Sequence, residues 1–426
     1  MPFPEIEILT SLVSPIFHID DVTAGDPRQY IVRYRGHLLV DDSARAYDQL
    51  AAALEPHGIT PLFRIEDGRH VILLVPRLAD PKPANITVNL ALFLLTVLTV
   101  LWTGSLMAGA EPLVPPNAGF GEQALVWFQS LLQGWPFAVS LLSILLFHEF
   151  GHYLVSRYHK TPATLPYFIP LPPQLSPLGT LGAAIFMQGV PKNKRILFDI
   201  GIAGPLAGLI VAIPILWLGL SLSDLDVVDD AIYPALAANE RPLCLNANFN
   251  QDGTYTCLGD GFLEGNSLLY LGLKYLRFGQ LLPAPASYNG QMPILYWLRY
   301  FFTGGPVPLG GTDVMIDPVA FAGWAGLLVT ALNLLPAGTL DGGHVVYGLF
   351  GEKAKKAYPF LLGLLVLLGF FWNGWWLWAA ILLWLGRVQA QPLDQITTLD
   401  APRRALAVVM LIIFVLVFSP VPATLF

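Results

Sequence analysis

Long segments without a charged residue constrain this chain more than any other feature. Five of them hold 18 or more uncharged residues, and a sixth apolar segment ends the sequence. A helix needs about 20 apolar residues to cross the hydrocarbon core of a bilayer. The six segments are Ile86–Ala110, Gln123–Phe147, Ile200–Ser223, Pro318–Leu340, Ala357–Gly386 and Ala405–Phe426. Only 12% of the residues are charged, against about 25% in soluble globular proteins, so the sequence predicts a helical membrane protein.

The distribution of lysine and arginine predicts the orientation in the membrane. The segment 357–386 contains Asn373-Gly374 at its middle and is either one tilted span or a hairpin of two short helices. With a hairpin, 19 of the 23 Lys and Arg residues fall on one side of the membrane, and the positive-inside rule makes that side cytosolic. We therefore favour seven spans over six, with the N-terminus inside. The first 27 residues lack Lys, Arg and a continuous apolar core, and this absence of a signal or transit peptide favours a bacterial cell membrane.

Two parts of the chain are predicted to lie outside the bilayer. Residues 1–85 contain three strand-like segments, YIVRYRGHLLV, ITPLFRI and HVILLV, and the helical segment SARAYDQLAAAL, which together predict a small cytosolic α/β domain. The insert 224–317 is acidic, contains an amphipathic helix, and holds Cys244 and Cys257. These cysteines are predicted to form a disulfide, with two free thiols as the alternative. The predicted fold class is an all-α polytopic membrane protein of six to seven transmembrane helices with a small α/β N-terminal domain.

We extend the helix of the second apolar segment through His152, so that it contains the sequence His148-Glu149-Phe150-Gly151-His152. Residues four apart share one face of a helix, so His148 and His152 can bind the same metal ion. Glu149 lies beside that face, where a metal-bound water would sit. Ionisable residues in the hydrocarbon layer are costly and rarely occur without a function. The spacing predicts a zinc site with Glu149 beside it, which is the H-E-x-x-H arrangement of zinc peptidases. Helix packing by hydrogen-bonded polar residues is the alternative.

A catalytic zinc usually takes three protein ligands and leaves a fourth position for water. Asp341 follows the fourth apolar segment and is the only acidic residue between Asp317 and Glu352. We therefore predict Asp341 as the third ligand, with a simple turn residue in an Asp-Gly pair as the alternative. His344 is predicted to be a neighbouring or surface histidine rather than a ligand.

Two glycine-rich stretches accompany the predicted metal site. Gly179 and Gly182 lie in a stretch too short and too rich in small residues for a span. It is predicted to form either a re-entrant strand pair, whose free edge could bind an extended substrate, or a tight surface turn. Gly204 and Gly208 form a small-xxx-small face that favours close helix packing over substrate contact.

Together, His148-Glu-Phe-Gly-His152 and Asn333-Leu-Leu-Pro-Ala-Gly-Thr-Leu-Asp341-Gly342 resemble the site-2 protease family of intramembrane zinc metalloproteases. The resemblance covers about residues 130–350. It implies that His148, His152 and Asp341 bind zinc and that Glu149 is the general base. It also implies that Asn333 helps to hold the substrate or the oxyanion, with capping of a broken helix before Pro336 as an equal alternative.

The sequence thus predicts a membrane domain, 86–426, with a catalytic core at about 130–222 and 318–350. The resemblance implies a Zn²⁺-dependent endopeptidase that cleaves transmembrane protein substrates within the lipid bilayer, in regulated intramembrane proteolysis. A membrane metal transporter and an inactive relative that binds membrane helices are the alternatives. The net charge of -7 gives no sign of a nucleic-acid partner, and the sequence does not determine the oligomeric state.

Overall fold

The computed structural model describes most of the chain. The described residues are 3–26, 29–78, 85–110, 119–227, 247–249, 255–257, 262–288, 290–306, 310–386 and 390–425. The predicted Cys244–Cys257 disulfide lies outside these residues, because Cys244 is not among them.

The N-terminal unit, residues 5–78, is a four-stranded antiparallel sheet with two helices. Its elements are α1 (Ile6–Val13), β1 (Phe17–Ala24), β2 (Val32–Leu38), α2 (Ser43–Leu54), β3 (Ile59–Glu66) and β4 (Arg69–Pro76). The strand order is β1-β2-β4-β3. Elements β2, α2, β3 and β4 agree with the prediction, whereas α1 and β1 were not predicted. Most side chains of β1 are exposed or half-buried at the sheet edge, so its sequence has no clear apolar alternation.

The remaining elements are mostly helices. They are α3 (Ile86–Met107), α4 (Phe120–Gln133), α5 (Trp135–Tyr158), β5 (Tyr167–Pro170), β6 (Thr180–Ala184), α6 (Lys194–Leu222), β7 (Asp224–Val227), β8 (Ala247–Phe249), β9 (Tyr255–Cys257), β10 (Phe262–Glu264), α7 (Leu268–Phe278), α8 (Pro293–Thr303), β11 (Thr312–Met315), α9 (Pro318–Asn333), α10 (Asp341–Phe350), α11 (Ala354–Leu368), α12 (Gly374–Leu385), α13 (Ala401–Val417) and β12 (Ala423–Leu425). Short strand pairs occur at β5–β6, β7–β11, β8–β9 and β10–β12, so the part after residue 85 is not purely helical, contrary to the prediction.

Three helices among the described residues, α3, α5 and α6, are long and apolar enough to cross a membrane. The predicted six or seven spans are therefore not confirmed. Helix α9 has 16 residues, or about 24 Å at 1.5 Å per residue, because it ends at Asn333 instead of continuing to Leu340. Helices α11 and α12 are two short helices joined at residues 369–373, which agrees with the predicted hairpin.

The second apolar segment forms two helices, whereas one helix through His152 was predicted. The chain breaks at Gly134, where α4 ends and α5 begins. Pro136 is the second residue of α5 and cannot lie inside a continuous helix without losing a backbone hydrogen bond. A Cβ atom on Gly134 would lie 2.1 Å from the carbonyl oxygen of Leu101, so this glycine also lets α3 approach closely.

The core of the membrane part lies where α3, α5, α6 and α9 meet. Its fully buried side chains include Phe137 and Leu141 of α5, Leu216 of α6, and Ala320 of α9. Burying such apolar side chains stabilises the packed helices even where lipid covers their outer faces, because the chains interlock at close range. The predicted residues His148, Glu149 and His152 also lie on α5, whereas the predicted ligand Asp341 lies on α10.

Candidate metal centre

Helix α5 carries both predicted metal-binding histidines into the protein interior. His148 is 3% exposed and His152 is 6% exposed, and their rings lie one turn apart with centroids separated by 5.0 Å. Their Nε2 atoms are 3.3 Å apart. The i, i+4 spacing therefore places both imidazoles on the same buried face of α5, as the sequence predicts.

Asp341 is the first residue of α10, and its carboxylate reaches the two histidines. The Oδ2 atom lies 3.5 Å from Nε2 of His148 and 3.3 Å from Nε2 of His152. The chain turns between Asn333 and Asp341, so the start of α10 meets α5. One ligand atom from each of these three residues lies within 4.8 Å of the others, close enough to hold one metal ion.

The spacing of the three ligand atoms tests whether zinc fits. In a tetrahedral site with ligands at 2.0–2.1 Å, any two ligand atoms lie about 3.4 Å apart. The three separations here are 3.3, 3.3 and 3.5 Å. Two imidazole nitrogens and one carboxylate oxygen are also a common ligand set for catalytic zinc. The residues present therefore fit a zinc ion.

Helix α6 positions His152. The backbone carbonyl of Ile200 lies 2.7 Å from Nδ1 of His152, so Nδ1 carries the proton and the lone pair of Nε2 points toward Asp341. Such a hydrogen bond fixes the tautomer of a metal-binding histidine. The sequence gives no sign of this partner, because a backbone carbonyl leaves no residue-type signal.

The glycines of α6 make room for the histidine rings. A Cβ atom at Gly204 would lie 2.0 Å from Nε2 of His152, and one at Gly208 would lie 3.2 Å from Nδ1 of His148. These contacts agree with the predicted packing role of the small-xxx-small face. They show that this face packs against the side of α5 that carries His148 and His152. His344 is buried against Gly201 and is not part of the His148, His152 and Asp341 group.

Glu149 is 5% exposed and lies next to the histidines on α5. The backbone N–H of Ile185 lies close to its carboxylate. Ile185 directly follows β6, so the strand pair β5–β6 ends at the predicted general base. The sequence predicts Glu149 but not this contact with the strand pair.

Asn333 is the last residue of α9, and its side-chain amide nitrogen lies 3.1 Å from Nε2 of His148. The amide thus lies beside the metal-binding atoms. Of the two predicted roles, this position favours one at the metal site over capping of the broken helix.

The glycine-rich stretch forms a strand pair rather than an isolated turn. Strands β5 and β6 are antiparallel and make a two-stranded sheet. Gly179 has a φ of +72°, and a Cβ atom there would lie 2.5 Å from Oγ1 of Thr103 on α3. The absence of a side chain at Gly179 therefore lets the backbone approach α3 closely. Gly182 is buried on β6, has a φ of +102° and has no atom within 4 Å of an added Cβ, so there is open space at the position of its missing side chain.

Three residues that could hold a metal ion, two of them on the candidate membrane-crossing helix α5, lie beside the carboxylate of Glu149. This arrangement is typical of the class of membrane-embedded metallopeptidases. The chain belongs to peptidase family M50, whose family model matches residues 136–368. This confirms the resemblance to the site-2 protease family. It also makes this chain an integral membrane protein of a protease family.

Several plant proteins that are named as probable zinc metalloproteases are similar to this chain. The protein named "Probable zinc metalloprotease EGY1, chloroplastic" is 29% identical over 364 residues in Oryza sativa subsp. japonica, covering 82% of this chain and 53% of the relative. The protein of the same name in Arabidopsis thaliana is 28% identical over 366 residues, covering 82% and 56%. "Probable zinc metalloprotease EGY3, chloroplastic" of Oryza sativa subsp. indica is 35% identical over 121 residues, covering 27% and 20%. The chain spans about half the length of the two EGY1 relatives, and no solved structure matches it.

Proposed function

We propose that this protein is a zinc-dependent intramembrane endopeptidase that hydrolyses peptide bonds in or near the transmembrane segments of other membrane proteins. The observation that carries this proposal is the tetrahedral spacing of the His148, His152 and Asp341 ligand atoms beside the carboxylate of Glu149. Family membership and the names of the relatives support it.

His148, His152 and Asp341 would hold the zinc ion. When bound, zinc lowers the pKa of its water and polarises the scissile carbonyl. Glu149 then takes a proton from the attacking water and returns it to the leaving amine. The amide of Asn333 donates a hydrogen bond to the carbonyl oxygen of the substrate as negative charge develops on it.

The free edge of strand β6 could hold the substrate in an extended conformation. A helical substrate hides its carbonyls in backbone hydrogen bonds and must be extended before cleavage. In the described residues, β6 pairs only with β5, so its other edge can add an extended peptide by β-augmentation. Because β6 ends next to Ile185 and Glu149, a peptide on this edge passes the metal ligands. Gly182 lies on this strand, and we propose that it contacts the substrate; for Gly179, substrate contact stays a prediction.

The larger architecture belongs to the same proposal. Residues 1–85 are a cytosolic domain, and residues 86–426 are a membrane domain with six or seven spans, in which α9, α11, α12 and α13 supply the shorter crossings. The insert 224–317 lies on the opposite side. The relatives are named as chloroplastic, so they do not support the predicted bacterial cell membrane, which stays a prediction.

A metal transporter needs further ligands along a path through the membrane. Among the described residues, His148, His152 and Asp341 form the only group of three that could hold an ion, which favours the protease. An inactive helix-binding relative would not need Glu149, which is present and points to the site.

The test is to purify the chain in detergent, measure bound zinc, and follow cleavage of a panel of transmembrane substrates. Glu149→Gln should retain about one zinc per chain and lower cleavage by 100-fold or more, because the general base is lost. Glu122→Gln, which changes an exposed glutamate on α4, is the matched control and should cleave normally. Zinc binding without cleavage of any substrate by the unmodified protein would contradict the proposal.

A further inference from the structure

A cavity of about 570 Å³ lies between the N-terminal unit and the membrane helices. It is separate from the metal ligands and is bounded by the start of α6, the end of α10 and the first turn of α13. Its lining residues include Ile65, Lys194, Tyr347, Lys353, Leu399 and Arg404. By the positive-inside rule these helix ends lie at the cytosolic surface of the bilayer.

Lys194 is the notable side chain of this cavity. It is 9% exposed, and among the described residues none forms an ion pair with its ammonium group. The centroid of the Tyr347 ring lies 5.8 Å from Nζ. The carboxylates of Asp394 and Glu352 interact electrostatically with this ammonium from beyond ion-pair distance. The cost of burying the ammonium is therefore only partly offset, and a bound anion would stabilise it further.

The cavity carries more positive than negative charge. Lys353 and Arg404 also line it, and neither forms an ion pair with another described residue. The one acidic lining residue is Glu352, whose carboxylate lies 2.5 Å from Nζ of Lys355 and accepts a hydrogen bond from the hydroxyl of Tyr347. This carboxylate pairs with Lys355 outside the cavity and also interacts with Lys194. The three lining cations, which come from three different parts of the chain, still outnumber this one lining anion.

The backbone also approaches Lys194 closely. Gly351 has a φ of +56°, and a Cβ atom there would lie 3.2 Å from Nζ of Lys194. Because this residue is glycine, the space around the ammonium group stays open on that side. The N-terminus of α6, which begins at Lys194, adds the positive end of a helix dipole.

We propose that this cavity binds a phosphate ester, with the phosphate held by Lys194, Lys353 and Arg404 and the organic part against Tyr347 and Leu399. Phosphate offers the multiple negative oxygens that three cations can share, and the volume exceeds that of phosphate alone. Two sources share this chemistry, a soluble phosphate ester and the headgroup of an anionic phospholipid. This binding site goes beyond the proposed peptidase activity.

The experiment uses the full chain in nonionic detergent and phosphate-free buffer. In one arm, calorimetry measures the affinity for glycerol phosphate. In the other, mass spectrometry counts the phosphatidylglycerol molecules retained after incubation with vesicles of phosphatidylglycerol and phosphatidylcholine. The variants are Lys194→Gln and Arg404→Gln, with Lys356→Gln as the control, because Lys356 is an exposed lysine of α11 outside the cavity lining.

We expect each cavity variant to weaken binding about tenfold, which is the loss of one charged hydrogen bond, and Lys356→Gln to leave it within twofold. Binding in the first arm identifies a soluble ester, and binding in the second alone identifies a lipid headgroup. Lack of binding in both arms, or equal weakening by Lys356→Gln, overturns the proposal. Arg404 is exposed, so its variant decides the matter if Lys194→Gln does not fold. No cleavage is measured, so failure here is distinct from failure of the peptidase proposal.

Discussion

At the scale of single residues, His152 is held from two sides. The carbonyl of Ile200 fixes its tautomer, and Gly204 leaves space for its ring. Neither residue binds metal in our proposal, yet both decide where Nε2 points. The metal ligands therefore depend on helix α6 as much as on the helix that carries them.

Gly204→Ala should lower zinc binding. The new Cβ would lie 2.0 Å from Nε2 of His152, so either the ring or α6 must move. Zinc content after dialysis against a weak chelator measures the effect, and we expect at least a tenfold loss of affinity. Gly363→Ala is the control, because that helical glycine has no atom within 4 Å of an added Cβ, and it should bind zinc normally. Full zinc content in Gly204→Ala would show that the contact does not position His152.

Asn333→Ala should lower cleavage about 100-fold while zinc is retained. The amide lies 3.1 Å from Nε2 of His148, in a position to stabilise negative charge on the substrate, and removing one such donor has an effect of this size. Steady-state kinetics should show the loss in kcat rather than in KM. A role in helix capping alone would instead lower the thermal unfolding midpoint and leave kcat unchanged.

At the scale of elements, the strand pair β5–β6 connects α3 to the metal site. Asn89 of α3 donates its amide to the carbonyls of Leu165 and Pro166, just before β5. At the other end, the N–H of Ile185 lies close to the carboxylate of Glu149. The pair is thus fixed at both ends, which a strand that templates a substrate requires.

Gly182→Ala should lower kcat/KM for transmembrane substrates about tenfold without loss of zinc. At a φ of +102° an alanine is strained, so the edge of β6 would change its shape. Gly58→Ala is the matched control. Gly58 also has a positive φ, +67°, and no atom within 4 Å of an added Cβ, but it lies in the N-terminal unit. Equal loss of cleavage in both variants would indicate general destabilisation instead of a role for the strand edge.

A second buried group of ionisable residues joins β10, α7 and β11, away from the metal ligands. Lys274 is fully buried, its Nζ lies 3.9 Å from Oδ1 of Asp313, and the hydroxyl of Tyr270 donates to Oε1 of Glu264. Burial raises the pKa of Glu264 from its ordinary value of 4.5 to about 7, and the ammonium of Lys274 opposes this rise. Burial raises the pKa of Asp313 as well, again opposed by Lys274.

The stability of this part should fall as the pH rises from 4.5 through 7. In that window folded Glu264 keeps a proton that the unfolded chain has lost, so folding becomes less favourable with increasing pH. Thermal unfolding midpoints between pH 4 and 8 measure the effect. Glu264→Gln should flatten this part of the profile, whereas Glu55→Gln, at an exposed position of the N-terminal unit, should not. An unchanged profile in Glu264→Gln would exclude Glu264 as the cause.

At the scale of the whole molecule, the proposed topology places residues 1–85 and 224–317 on opposite sides of the membrane. Single cysteines introduced at Asp48 and at Asp226, in a variant that lacks Cys244 and Cys257, should react with a membrane-impermeant thiol reagent from opposite sides of sealed vesicles. Both side chains are exposed. Labelling of both from the same side would overturn the topology.

The sequence predicts the metal centre better than the helices around it. The motif at residues 148–152 and Asp341 can be read directly, because helical spacing and the rarity of charge in lipid restrict their use. The break at Gly134 was missed, since hydropathy measures only the apolar length of a segment. The end of α9 at Asn333 was foreseen only in the alternative that Asn333 caps a helix broken before Pro336. The contact from Ile200 could not be predicted, because it depends on how two helices pack and on a backbone atom.

The docking of the N-terminal unit has a practical consequence. The backbone of Phe63 on β3 exchanges two hydrogen bonds with Leu393 and Gln395, and the same segment bonds to Pro191 and Lys192 just before α6. Truncation at residue 85 would strip Leu393 and Gln395 of these partners and uncover the side chains around them. A shortened protein without residues 1–85 would then have a less ordered segment at the start of α6. Its kinetics would not represent those of the whole chain.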